Sequence, residues 1–311
     1  MDCTLNNKKP KKKRGGTLYS KSWTGWLFIM PVVIGIVVFQ LFPILESFYL
    51  SFFRRYNVIS PPTGFGLGNY KYMFSNEQFW KSCRITLTYT VITVPLFMVL
   101  SFLLALLLNK KTKFISVYRV LIYLPVIIPV TVSGIIWKNF FDFKFGFANE
   151  ILNRLGFEAS PFFSDRLTAM PTLIFLGLWG LGGGMILWLS ALKNVPKSLY
   201  EAAEIDGANK FQQLLHVTVP MCSSMIFYYL IINIIGSLQT FGSVKAITGS
   251  SAGPDDSLLF YLIKVYNDAF NIQAKTMGLA CAESWFLFIV IALLTVLLFK
   301  TSGWVFYGEN E

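Results

Sequence analysis

The sequence predicts an all-α, polytopic integral membrane protein with six transmembrane helices, and three observations carry that prediction. The 311 residues are 54% hydrophobic and only 14% charged, and the mean hydropathy is +0.56. That is too apolar for a soluble domain of this length. Six stretches, roughly 25–50, 87–108, 117–138, 169–192, 219–242 and 277–299, reach the ~20 mostly apolar residues that a bilayer-spanning helix needs. The runs are also longer and more continuous than the alternating strands of about 10 residues found in a membrane barrel, and only helices or closed barrels satisfy every backbone polar group in lipid. No segment outside them is large enough for a soluble domain with its own core.

The elements follow in chain order. Residues 1–24 form a basic tail containing Lys8 to Arg14, KKPKKKR. A net charge of +11 suggests nucleic acid in isolation. A Lys/Arg cluster directly before a first membrane helix instead holds that end in the cytoplasm, so no nucleic-acid partner is expected. The first helix, placed within 25–56, is read as a retained signal anchor because the run is too long for a cleaved signal peptide. Pro31 and Pro43 predict kinks in it. Residues 57–84 are an extracytoplasmic loop rich in Pro and Gly. Within it, NYKYMFSNEQFW predicts a short interfacial helix, since Trp and Tyr favour the headgroup region.

The second span ends at Leu-Leu-Asn-Lys-Lys, and the third carries Pro125 and Pro129. The fourth holds GLWGLGGG, Gly177 to Gly184, which predicts close helix packing. It is not a dinucleotide fingerprint, because no strand precedes it and the GxGxxG spacing fails. The fifth span carries Asn233, Gly236, Ser237 and Thr240 at i, i+3, i+4 and i+7, one helical face. Polar groups inside a membrane face protein or a water-filled path, so this stripe reads either as interhelical glue or as a polar wall of a translocation path. Glu283 in the sixth span is a candidate for the same path, as a carboxylate within a span. Residues 301–311 are a second cytoplasmic tail.

Four scattered cysteines, Cys3, Cys83, Cys222 and Cys281, show no CxxC spacing, and His216 is the lone histidine. They predict neither a disulfide framework nor a metal site. GSSAG, Gly249 to Gly253, has GxSxG spacing but lacks the strand–turn–helix context of a nucleophile elbow. The chain is therefore expected to be a non-catalytic subunit.

The most informative segment is polar and lies between the fourth and fifth spans. Residues 194–220 begin Asn-Val-Pro, a helix start in which Pro196 suits the first turn. Glu201 and Glu204 are expected in the early turns, where the helix dipole favours acids. Gly207 breaks the helix, and a second short helix from Asn209 to His216 leads to Pro220. Counting spans forward places this loop in the cytoplasm. Its acidic first half would be repelled by the anionic inner leaflet, which favours a protein partner over lipid.

The segment Glu201-Ala202-Ala203, three residues, Gly207, nine residues, Val217-Thr218-Val219-Pro220 resembles the EAA loop of binding-protein-dependent ABC importer permeases. Valine stands at both positions where that pattern has Ile and Leu. The EAAxIDGA variant, Glu201 to Ala208, resembles the sugar-importer branch, of maltose or glycerol-3-phosphate permease type. YRVLIYLPVIIP (Tyr118 to Pro129) and ALKNVPKSLYEAA continue the likeness in order, over most of the chain. ITGSSAGP (247–254) and Glu283 depart from the family pattern.

The resemblance implies a type I ABC importer permease fold with a core over 85–300. It implies coupling to two cytoplasmic ATPase subunits through Glu201, Ala202, Ala203, Asp206, Gly207 and Pro220, with ATP–Mg bound by those subunits and no cofactor on this chain. It further implies a second homologous permease, an extracytoplasmic solute-binding protein, and a carbohydrate path at Asn233, Gly236, Ser237 and Thr240. The location would be a prokaryotic plasma membrane, with both termini cytoplasmic. The rival class is an ion-coupled secondary transporter of a small polar solute, which would show interrupted helices and inverted repeats.

Overall fold

The computed structural model describes residues 22–306 apart from 58, 111, 250, 272, 273 and 275. The basic run Lys8–Arg14 and the end of the C-terminal tail lie outside the described residues. The chain divides into Met1–Leu50 and Ser51–Glu311. In the first unit, α1 (Ser22–Ile36) runs through a π-helical turn, Val37–Leu41, into α2 (Phe42–Leu50). Pro43 has no N–H to give the carbonyl four residues back. The wider turn just before it absorbs that loss in place of a sharp break.

The second unit opens with a departure from the all-α expectation. Residues that the sequence reading gave to the first helix instead form β1 (Phe53–Arg55), paired antiparallel with β2 (Thr63–Phe65). The Phe53 and Phe65 rings meet edge to face at 5.4 Å, the kind of cross-strand aromatic pair that stabilises a short ladder. α3 (Gly68–Ser75) is the first part of the expected short helix of the loop; the Glu77–Trp80 end of that stretch belongs to the long helix that follows.

Then comes α4 (Glu77–Leu108), started by the Asn76 side chain accepting from the Gln78 N–H at 2.9 Å. After α5 (Ile115–Ile127), α6 (Val130–Phe140) and the short α7 (Phe147–Arg154), the fourth span is α8 (Arg166–Gly177) and α9 (Leu181–Asn194), joined by a 3₁₀ turn. α10 (Lys197–Ile205), α11 (Lys210–Gln213) and α12 (Val219–Met221) lead into α13 (Ser223–Leu238). α14 (Gly242–Thr248), α15 (Tyr261–Ala269) and α16 (Met277–Lys300) complete the unit.

Among the described residues five helical stretches are long and apolar enough to cross a membrane, and the pair α5 and α6, bent by 95°, makes a sixth if taken as one span. Unbroken hydropathy over 117–138 predicts a continuous third span, and the structure breaks it. Pro129 explains the break: it disfavours helical geometry at the residue before it, and Ile128 is extended at φ −71°, ψ 128°. The fifth span is likewise interrupted between Leu238 and Gly242.

The helices close on one another through small residues. A Cβ added at Gly182 would run into the Ile122 carbonyl, and one at Gly184 into the Tyr229 hydroxyl. Beside that contact, Trp188 Nε1 donates to Ser101 Oγ at 3.0 Å and so links α9 to α4. Gly184→Val is therefore expected to cost about 1–3 kcal/mol, the usual penalty for overpacking a tight core. The midpoint of thermal unfolding of the purified protein measures it.

Candidate functional site

The polar loop folds into an elbow held by its own backbone. Val195 is extended, and Pro196 sits just before the helix as the N-cap (φ −59°, ψ 134°), not inside its first turn. The first turn of α10, Lys197 to Tyr200, holds no acid. Glu201 falls mid-helix and Glu204 near the C-terminal end, where the dipole opposes a carboxylate. Lys210 answers that opposition from across the bend. It forms an ion pair with Glu204 and holds the carboxyl below its ordinary range.

Gly207 adopts φ +80°. Its N–H donates to the Glu204 carbonyl at 3.1 Å, and the Ala208 N–H donates to the Ala203 carbonyl at 2.9 Å. The two bonds form a Schellman motif, which needs a left-handed residue at that position. Asn209 then starts α11 with a capping box. Its side chain accepts from the Phe211 and Gln212 N–H groups at 3.0 and 2.9 Å, and the Gln212 side chain accepts from the Asn209 N–H at 2.8 Å. A second π-helical turn, Leu214–Thr218, precedes Pro220 just as the first precedes Pro43.

The elbow is also keyed to the helix core. Tyr200 and Val217 pack on the cluster of Ala105, Met185, Trp188, Leu192 and Val195, and the Tyr200 and Thr218 hydroxyls meet at 2.9 Å. On its outer surface Glu201, Ala202 and Asp206 are exposed. Two apolar side chains missed by the sequence reading stand there as well: Ile205 is 87% exposed and Phe211 67%. The bend encloses a groove of about 300 Å³ lined by Ala203, Asp206, Gly207, Gln212 and His216 among others.

The polar stripe of the fifth span lines a cavity of about 220 Å³ between α13 and α4. Asn233, Gly236, Ser237 and Thr240 form one wall; Tyr89, Thr93, Val94 and Phe97 form the other. Asn233 Nδ2 donates to the Tyr229 carbonyl at 2.7 Å, Ser237 Oγ to Ile234 at 3.0 Å and Thr93 Oγ1 to Tyr89 at 2.7 Å. The Ser237 and Thr93 hydroxyl protons are thus spent on their own helices, and Asn233 keeps one amide N–H. The side chains offer the cavity mainly oxygen lone pairs, which accept from a ligand's hydroxyls.

Glu283 stands apart from this cavity. It is fully buried, with Oε1 2.5 Å from Lys264 Nζ. Lys264 also reaches Asp268 Oδ2 at 2.6 Å, and the Tyr261 hydroxyl donates to the Glu283 backbone carbonyl at 2.7 Å. Burial alone lowers the pKa of the Lys264 ammonium, but Glu283 and Asp268 outweigh it and hold it above its ordinary value. The cluster fastens α15 to α16.

Residues 86–307 match the family described as binding-protein-dependent transport system inner membrane component. The chain is 35% identical over 303 residues to the probable ABC transporter permease protein YesP of Bacillus subtilis, covering 96% of this chain and 97% of that one. It is 33% identical to the arabinooligosaccharides transport system permease protein AraP of the same organism, with 94% and 92% covered. It is 30% identical to the lactose transport system permease protein LacF of Rhizobium radiobacter, with 88% and 92% covered. A bacterial ABC transporter involved in the import of the acidic polysaccharide alginate shares the fold at a TM-score of 0.80 and 21% identity, over 91% of this chain and 96% of that one. The fold is thus a known one, and the chain is a member of the binding-protein-dependent transport system inner membrane component family.

Proposed function

We propose that this chain is the membrane-spanning permease subunit of an ABC importer for a sugar or oligosaccharide, gripped at its elbow by cytoplasmic ATPase subunits. The observation that carries the reading is the elbow itself. It is preformed, exposed at Glu201, Ala202, Ile205 and Phe211, and fixed to the helix core through Tyr200 and Val217. A handle of that kind transmits displacement without deforming. Two ATPase subunits, which bind ATP–Mg, grip this elbow and its counterpart on a second homologous permease, and both termini lie on that side of the membrane. A solute-binding protein delivers the saccharide to the opposite face.

Relatives named for lactose, arabinooligosaccharides and trehalose/maltose support the carbohydrate class. The cavity lined by Asn233, Ser237 and Thr93 is rich in oxygen lone pairs, which suits a hydroxylated solute and supports a substrate path along it. Driving a two-state gate from 1:99 to 99:1 requires about 5.5 kcal/mol of differential binding, which ATP-driven closure of two docked subunits supplies.

The 95° break at Pro129 is a feature an ion-coupled secondary transporter would share, so the test separates the two drives. Sugar uptake into proteoliposomes holding the complete complex is expected to require ATP and to survive collapse of the ion gradients. Cysteines at Glu201 or Asp206 are expected to crosslink to the ATPase. Uptake that persists without ATP and stops with the gradient would establish the secondary-transporter reading instead.

A further inference from the structure

The cavity of about 650 Å³ at the N-terminal end of α4 takes no part in the account above. Glu77, Trp80, Lys81, Arg84 and Ile85 of α4 line it, together with Arg166 at the start of α8 and Asp255 and Ser257 in the turn before α15. It lies far from the elbow: Leu108, at the other end of α4, packs in the same cluster as Val195 and Tyr200, and a helix of 32 residues is about 48 Å long. Its volume falls within the ~300–1,000 Å³ typical of ligand clefts.

The site is built, not incidental. Asp255 and Asp256 both adopt left-handed backbone, at φ 51° and 54°, a strained state that persists only where surrounding bonds hold it. Lys81 supplies them, donating to the Asp255 carbonyl at 2.7 Å and facing the Asp256 carboxylate at 3.5 Å. The Ser257 N–H to the Pro254 carbonyl at 2.9 Å and the Leu258 N–H to Ala252 at 2.9 Å close the turn. Trp80 is fixed by its Nε1 donating to the Phe74 carbonyl at 2.9 Å, yet the side chain remains 47% exposed. Arg84 and Arg166 make no ion pair among the described residues, and the buried Ser257 Oγ has no hydrogen-bond partner there.

The charge pattern selects the ligand class. With Lys81 engaged by the turn, the lining holds two arginines, Arg84 and Arg166, and two acidic residues, Glu77 and Asp255. A simple anion meets the carboxylates and a simple cation meets the arginines. A polyhydroxylated ring satisfies both, since its hydroxyls donate to carboxylates and accept from guanidinium N–H groups, while its apolar face stacks on an indole. Ile85 at the inner limit of this cavity is one helical turn from Tyr89, which lines the cavity between α4 and α13. The geometry points to a saccharide subsite at the mouth of the permease, where a sugar ring rests on Trp80 between Arg84, Arg166, Glu77 and Asp255 before it passes to the cavity of Asn233 and Ser237. The inference rests on the saccharide-importer reading.

The test uses the complete complex in proteoliposomes with its binding protein, offered labelled lactose, maltose and arabinotriose as neutral probes and an alginate trisaccharide as an acidic one. Trp80→Ala and the double variant Arg84→Ala/Arg166→Ala are expected to raise the apparent KM for the imported probe at least 10-fold, with the maximal rate held within 2-fold. The arginines are exposed, so the double variant leaves the fold intact. If only the acidic probe responds to it, the ring held there is a uronate; if neutral probes respond, it is uncharged; either result supports the subsite. Unchanged KM in both variants overturns the subsite and leaves the importer reading standing. A variant that loses ATPase stimulation by the binding protein with KM unchanged also overturns it, in favour of a protein-docking surface. A wild-type complex that imports none of the four probes overturns the subsite and the saccharide reading together.

Discussion

Gly207→Pro is expected to abolish uptake, by at least 100-fold, while the protein remains in the membrane at its normal level. The native φ is +80°, and proline is locked near −65°. The substitution also deletes the N–H that donates to the Glu204 carbonyl, so the Schellman closure fails and the second half of the elbow, with Phe211, is re-aimed. The damage is expected to stay within the elbow, because Gly207 is exposed and a Cβ there meets no atom within 4 Å. Gly207→Ala isolates the backbone effect: space is open, and only the left-handed conformation costs about 1–2 kcal/mol. Its uptake should fall between wild type and the proline variant. Initial rates in proteoliposomes, set against permease content by immunoblot, measure both. Normal transport by Gly207→Pro would remove the elbow from the mechanism.

Lys264→Leu is expected to destabilise the protein by about 3–5 kcal/mol, the cost of leaving a buried charge unpaired. It strands a fully buried Glu283 whose Oε2 already lacks a partner among the described residues. Glu283→Leu should cost less, because Lys264 retains Asp268 at 2.6 Å. The double variant Lys264→Leu/Glu283→Leu should recover most of the loss, since a buried pair exchanged for apolar groups is often close to neutral and Asp268 is one quarter exposed. Thermal unfolding of the purified complex ranks the three. The double variant is also expected to transport at wild-type KM, because Glu283 does not line the α4–α13 cavity. A raised KM there would return the residue to the substrate path.

The spans were legible because apolar length alone determines them, and Gly207 was legible because a helix that stops and restarts across one residue asks for a left-handed position. The break of the third span was written in the sequence as Ile128-Pro129, but continuous hydropathy across it masked the steric effect of the proline. The placement of Glu201 and Glu204 failed for a local reason: the helix begins at Lys197 and ends at Ile205, so Glu201 is already past its first turn and Glu204 lies at its closing end. Half of the central cavity was out of reach. The stripe on α13 shows as a period, whereas Tyr89, Thr93 and Phe97 sit in a stretch of α4 with three further threonines: Thr88 is exposed, and Thr86 and Thr90 are buried and bonded to their own helix. Glu283 was visible as an anomaly, but Lys264, 19 residues away on another helix, becomes its partner only through tertiary packing.

The closed bonding of the bend at Gly207 and Asn209 has a thermodynamic corollary. A segment that orders only on contact forfeits about 1–2 kcal/mol of backbone entropy for each residue it freezes. One already frozen by its own amide groups forfeits almost none. On the proposed coupling, the free energy released when an ATPase grips the elbow would therefore be left nearly whole for moving the helices behind it.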